Sequence, residues 1–574
     1  MRRADRSSVP SGPWRICIGF FGILLATGCV CLAQTYPQSL QPDEYPRTIR
    51  GTVVNAVTGA PIARALVTTL GDRYAMLSDS EGHFEFALPK GRRENGGGEA
   101  EFSPSALSAR KPGFLDDPSG RNQAEGTAGT DVTIPLLPEG LIHGRVMSSE
   151  ADPTPGIIVQ LLSRQVQDGM LRWVQLGTAR ANSNGEFRFA ELLPGTYRLG
   201  TNELMDHDPV ITVPGGQQFG FPPVYYPGTS DFAAAGTIQL TAGQTVQADI
   251  PVTRQPYYPV KIPVANPGQN SNVNISVSVQ GHRGPGYALG YNGNEGRIEG
   301  LLPNGKYLVE ALGQNSASGA LPLTVAGGPA VGASLTLTPN SLISIRVVEE
   351  FTSTEAKPSG TLGNGKRTSS APTARLDLNV IVEPADDFAE QRGVSLRPAK
   401  VPDDDSLVLE NLSPGRYWLR PLASRGYVAS ATMGGADLLR EPFVVTPGLS
   451  TSIEVILRDD TAELDGTVAG ITPPGLTVPT ASTGISIPQS FVYCIPLPDS
   501  PGEFQPIWVS SDGKFNSGPM APGTYRVLAF KKQQPNIPYR DVEAMKAYET
   551  KGQIVHLSAG QKADVQLEMI SSSE

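Results

Sequence analysis

The stretch NGEFRFAELLPGTYRLG, Asn184 to Gly200, decides the fold. Asn184-Gly185 offers residues that tolerate positive φ, as a tight turn requires. Phe187 and Phe189 alternate with Glu186 and Arg188, a period of two that sets both rings on one face of a strand. Leu193-Pro194-Gly195 makes a second turn, and Tyr197 and Leu199 point inward from the strand after it. Proline and glycine recur too often for a helix. The stretch reads as a β-hairpin.

Variants recur at 294–311 (NEGRIEGLLPNGKYLVEA), 404–420 (DDSLVLENLSPGRYWLRP) and 512–529 (DGKFNSGPMAPGTYRVLA), with a fainter copy at 80–91 (SEGHFEFALPKG). Tyr197, Tyr307, Tyr417 and Tyr525 stand 110, 110 and 108 residues apart. That period is too long for a solenoid and fits one independent β-sandwich per copy. Each unit also closes alike, with an apolar stretch, a glycine and an alternating strand, as in TIQLTAGQTVQADIPV (238–252) and QIVHLSAGQKADVQLEMI (553–570). The expectation is an all-β tandem array of about five seven-stranded, immunoglobulin-like or transthyretin-like sandwiches, at 46–138, 139–257, 258–340, 341–460 and 461–571. A Gly-rich loop opens 91–110, which reads as mobile, and 352–373 reads as a disordered insertion. Residues 539–551 (YRDVEAMKAYETK) read as a helix ending at Gly552.

The first unit carries a more specific pattern. It holds Gly51-x-Val53, Thr58-Gly59-x-Pro61-Ile62, Ala65-x-Val67, Ser78-Asp79-x-x-Gly82-x-Phe84-x-Phe86 and Lys111-Pro112-Gly113-Phe114. This stretch resembles the carboxypeptidase regulatory-like domain, and the later units look like degenerate relatives. The resemblance implies a transthyretin-like seven-stranded sandwich, grouped with carbohydrate-binding-like folds. It also implies an accessory role in secreted bacterial proteins, often ahead of an enzyme or an outer-membrane barrel. Neither is expected here, because sandwich patterning runs to the end of the sequence.

The 574 residues include 63 glycines and 51 prolines, and the net charge is −10. An acidic chain without a basic run argues against a nucleic-acid partner. Arg2, Arg3, Arg6 and Arg15 precede the apolar run Ile16–Ala33, the pattern of an export signal over 1–33, with a tether at 34–45. Cys31-Leu32-Ala33 suits ordinary cleavage, Leu25-Ala26-Thr27-Gly28-Cys29 suits lipidation at Cys29, and the run is just long enough for an uncleaved anchor. The expected location is the periplasm, the outer-membrane surface or the exterior, with membrane contact only through this segment. After ordinary cleavage Cys494 alone remains, so no intrachain disulfide is expected, and Cys494 reads as a buried small hydrophobe.

No chemistry is legible. His83, His143, His207, His282 and His556 lack metal-ligand spacing, and H-E-x-x-H, G-x-S-x-G and the phosphate loop are missing. Neither a metal nor a cofactor is expected. Asp206, Asp208, Asp403–Asp405 and Asp459-Asp460 lack the calcium-loop pattern and read as solvated charge. The remaining handle is aromatic. Trp173, Tyr225, Tyr226, Tyr257 and Tyr258 are the candidate ligand-binding residues, because exposed rings stack on sugar faces. In Tyr225-Tyr226 and Tyr257-Tyr258, adjacent rings of an extended segment cannot both face one core, so one of each pair should be exposed or packed on another unit. Trp418 and Trp508 fall in predicted strands and read as core or interdomain packing. The expected function is a non-catalytic binding or scaffold protein that engages polysaccharide or another exported protein. The alternatives are a passive spacer or adhesin stalk, and an unrecognised hydrolase.

Overall fold

The computed structural model describes residues 47–570 apart from 70–73, 89–106, 116–130, 149–151, 207–215, 266–272, 280–283, 285, 314–316, 331, 353–377, 389–393, 401–403, 405, 447–450, 471–489 and 535. The signal, the tether, Cys29 and the insertion expected at 352–373 therefore lie outside the described residues, Thr352 excepted.

The chain is a tandem series of five β-sandwiches. In the first, strands Arg47–Asn55, His83–Leu88 and Val132–Leu136 form one sheet, and Leu66–Thr69, Ala75–Leu77 and Leu107–Arg110 form the other. Leu107–Arg110 lies inside the 91–110 stretch expected to be mobile. It is a strand because Leu107 and Ala109 alternate into the core, and only the residues before it fall outside the description.

In every unit the opening and closing strands are parallel neighbours. Gly51–Asn55 pairs with Val132–Leu136, Gly140–Ser148 with Thr245–Gln247 and Ile250–Val252, and Gln255–Ala265 with Leu335–Thr336. Ser341–Glu350 pairs with Ile453–Arg458, and Ala462–Val468 with Lys562–Leu567. A closing strand that runs the same way as the opening one leaves at the pole opposite the entry, so one sandwich can follow another through a short link.

The repeated stretch is not a hairpin. Glu186–Leu192 pairs with Gly140–Ser148, whereas Gly195–Thr201 pairs with Ile158–Gln167 in the facing sheet. The second turn is thus a corner between layers, and the same split holds around Tyr307, Tyr417 and Tyr525. The tyrosine fastens the corner. Tyr197 donates to the Leu193 carbonyl at 2.6 Å, Tyr307 to Pro303 at 3.0 Å, Tyr417 to Ser413 at 2.9 Å and Tyr525 to Ala521 at 2.6 Å. Each bond reaches four residues upstream, the geometry of a tyrosine corner.

The first turn also differs in detail from the expectation. Gly185 alone has positive φ, at 72°, and Asn184 does not. Asn182 replaces it as the organiser: its Oδ1 accepts from the amides of Asn184 and Glu186, both at 2.9 Å. The Gly185 carbonyl then accepts from Val146 in the opening strand at 2.8 Å. That strand needs a second glycine. Gly144 lies opposite Phe187, and a Cβ there would collide with the Ala248 carbonyl of the closing strand and with the Phe187 ring. Gly51 under Phe84 and Gly466 under Phe515 repeat the arrangement.

Two features depart from a plain series. The hairpin of Leu204–Met205 and Gln218–Phe221 leaves the second unit and joins the third unit's sheet, with Gln218 paired to Tyr257. The helix expected over 539–551 is one α-turn, Val542–Met545, capped by Asp541 and followed by the 3-10 turn Lys546–Tyr548. It folds because Ile537, Tyr539, Met545 and Tyr548 cover Tyr493, Leu528 and Phe530 on the outer face of the fifth unit's sheet. The strand Phe491–Pro496 is thereby buried on both faces, with Cys494 in the inner core.

Candidate functional site

The densest polar meeting point joins three units. The second unit's long hairpin, Ile158–Gln167 and Met170–Arg180, projects its tip, Asp168-Gly169, against the fourth and fifth. Asp168 and Gly169 both have positive φ, which closes the tip tightly. The Arg540 amide donates to the Gly169 carbonyl at 2.9 Å, and Tyr539 packs against Gly169. The Arg540 guanidinium donates to Glu383 Oε2 at 3.1 Å and lies 4.9 Å over the Trp418 ring. Arg420 donates to Glu383 Oε1 at 2.9 Å and reaches Asp168 at 3.4 Å. Arg172 donates to the Pro384 carbonyl at 2.6 Å, and Arg164 pairs with Asp387 at 3.7 Å.

An aromatic cluster continues the junction. Phe232 meets Trp173, Tyr225 and Phe388 edge-on at centroid distances of 5.9, 5.3 and 5.0 Å. Such edge-to-face contacts add to burial. Phe388 comes from the fourth unit, so the cluster spans the seam. Between the units lies a cleft of about 160 Å3, lined by Asp168, Arg172, Trp173, Asp386, Asp387 and Phe388. Burial raises the Asp387 carboxyl above its ordinary range, and Arg164 opposes that rise. The cleft is self-neutralised. Asp168, Glu383, Asp386 and Asp387 each face an arginine; the Arg164–Asp387, Arg420–Asp168 and Arg540–Glu383 pairs cross between units, and Arg416–Asp386 and Arg420–Glu383 lie within the fourth.

Of the five nominated rings, Trp173, Tyr225 and Tyr257 are buried where units meet, and Tyr226 and Tyr258 are half-buried. Tyr225 and Trp173 sit in the seam cluster, 4% and 9% exposed, and the Arg198 guanidinium lies 4.6 Å over the Trp173 ring. Tyr226 packs on the second unit's core and Tyr258 on the third's. Tyr257 is 1% exposed and faces Glu203 across the joint between second and third units. The alternation of adjacent tyrosines thus holds: in each pair one ring is buried and its neighbour is half-buried. Trp418 is interunit packing, as expected. Trp508 is not: it is 70% exposed on the strand Gln505–Trp508, at the edge of its sheet. The junction's main residues, Asp168, Glu383 and Arg540, carried no local signal, since the Arg540 contacts that join them span more than 150 residues.

Other chemistry stays local. His83 is exposed beside Thr52 at 2.9 Å, and His556 lies beside Thr524 at 3.1 Å. Burial pushes the Cys494 thiol up to about 12, far from a reactive thiolate. Asp460 pairs with Arg458 at 2.6 Å, Asp459 with Arg425 at 3.5 Å and Asp206 with Arg254 at 2.7 Å. Among the described residues, no group of three or more His, Cys, Asp or Glu could hold a metal, and no helix is long and apolar enough to cross a membrane.

No protein-family model and no curated protein matches the sequence. Among solved structures, a Streptococcal ancillary pilin is 13% identical, with 51% of this chain and 99% of that chain covered, at a TM-score of 0.18. The Bacillus anthracis TIE protein is 10% identical over 91% of this chain and 68% of its own, at 0.15. The shaft pilin SpaA of Lactobacillus rhamnosus GG is 11% identical over 36% of this chain and 97% of its own, at 0.17. At these scores the fold rests on the strand pairing above.

Proposed function

We propose that the protein is a non-catalytic, exported scaffold of carboxypeptidase regulatory-like sandwiches that presents its loops to another exported protein. One observation carries the reading: Arg540 of the fifth unit grips both the hairpin tip of the second and Glu383 of the fourth. These contacts tie distant parts of the array into one arrangement, which a scaffold needs and a string of independent beads lacks. The array doubles back on itself at this point, so a straight spacer is the weaker alternative. The opening-strand glycine beneath a phenylalanine of the paired strand, at Gly51, Gly144 and Gly466, supports the family reading. Export rests on the basic and apolar pattern of 1–33.

A polysaccharide ligand is the second reading, and the observation that favours it is Trp508, 70% exposed. The test is a glycan-array screen of the purified chain beside its Trp508→Ala variant, with a panel of ester, peptide and glycoside substrates. The scaffold reading expects no saturable glycan binding and no turnover. Binding lost in the variant would replace it with the polysaccharide reading. Turnover that copurifies with the chain would overturn both.

A further inference from the structure

Glu203 stands where the chain leaves the second unit's sheet at Gly195–Thr201 and enters the hairpin that joins the third. It is half-buried, but its Oε1 is sealed from solvent. Around it stand Tyr257 from the third unit's opening strand, Tyr287 and the Ala288 backbone from the loop before Gly290–Asn292, and Tyr307 from the strand Gly305–Gly313. Tyr287 meets Tyr307 edge-on at 5.4 Å, and Tyr307 is committed to its corner carbonyl. None of these groups is a cation. Asp206, at the hairpin, and Arg254, just before the third unit's opening strand, pair with each other at 2.7 Å. Neither Glu203 Oε1 nor the Tyr257 hydroxyl finds a partner at hydrogen-bonding geometry.

A buried carboxylate without a cation is costly, whereas a neutral carboxyl is tolerated and has a proton to share with a facing phenol. We infer that Glu203 is a proton-controlled latch on the joint between the second and third units. Neutral, it closes the seam against Tyr257. Ionised, it draws in water and loosens the crossing hairpin, whose pairing of Gln218 with Tyr257 lies at the same spot. Burial raises the Glu203 carboxyl to about 7, with Tyr257 and the Ala288 backbone pulling partway back, so the latch works near neutral pH. The inference does not depend on what the scaffold binds.

The test is hydrogen exchange on the full chain at pH 6 and pH 8, normalised for the intrinsic rate. The peptides read are those around Gln218–Phe221 and Tyr257, with Gly523–Phe530 of the fifth unit as the control. The expected result is roughly tenfold lower protection at pH 8 in the first two, since one unit of pH above the midpoint is a tenfold change. The control should not change, and Glu203→Gln should hold both peptides at the pH 6 level. Equal protection at both pH values, or the same pH response in Glu203→Gln, would overturn the latch. Should the variant misfold, the carboxyl carbon shift of Glu203 in the wild-type chain decides: titration near 7 supports the latch, and titration below 5 ends it.

Discussion

The phenol of Tyr197 donates to the Leu193 carbonyl at 2.6 Å and pins the corner where the chain crosses from one sheet to the other. Removing only that hydroxyl, as Tyr197→Phe, leaves a carbonyl without its partner and should cost about 1 kcal/mol of the second unit's stability. Tyr525→Phe, at a site 0% exposed, should cost at least as much in the fifth unit. Urea unfolding followed by exchange in the affected unit checks both, and an unchanged midpoint would remove the corner's energetic role.

Gly144 faces a second constraint, the closeness of the closing strand. Gly144→Ala should destabilise the second unit by about 2–3 kcal/mol, because the new methyl meets the Ala248 backbone rather than a yielding side chain. Gly177, on the same unit's outer hairpin with nothing near its Cβ position, is the matched control and should tolerate alanine. Limited proteolysis of the two variants reads the contrast.

Arg540→Ala leaves Glu383 buried at the junction with half its pairing gone, a loss of about 3 kcal/mol or more at that contact. The expected outcome is release of the fifth unit from the hairpin tip, seen as a larger maximum dimension in small-angle scattering. Arg540→Ala with Glu383→Gln should be less unstable than Arg540→Ala alone, since the stranded charge is gone.

Trp173 and Trp508 should separate packing from binding. Trp173→Ala empties a covered site and should cost about 3 kcal/mol or more. Trp508→Ala, at an exposed edge, should stay within about 0.5 kcal/mol of wild type by thermal melting.

The pH dependence has a definite sign. The Glu203 carboxyl is raised, so the folded chain keeps a proton that the unfolded chain has released. Its contribution is fully present below about 4.5 and is lost as pH rises to about 7. Melting temperatures of wild type minus Glu203→Gln, taken across that range, should therefore fall with rising pH. A flat difference would show that Glu203 titrates normally.

Much of each sandwich was legible locally. The strand period around Phe187, the tyrosine spacing and the closing strands all follow from alternation and turn chemistry, which act over a few residues. The hairpin reading failed because two strands joined by a short turn look the same in sequence whether they pair or part into facing sheets. That choice is made by what each strand finds beside it: Gly140–Ser148 for one, Ile158–Gln167 for the other. Trp508 misled for a related reason, since alternation on an edge strand does not say whether another layer will cover the outer face.

By itself the sequence determined the all-β class, the repeat and the burial of Cys494, all consequences of short-range periodicity. Only the tertiary structure decided that Tyr225, Tyr257 and Trp173 are covered, that Arg540 joins three units, and that Glu203 lies among phenols with no cation beside it among the described residues. Those outcomes depend on groups far apart in the chain, and burial of a ring or a charge is a property of what packs against it.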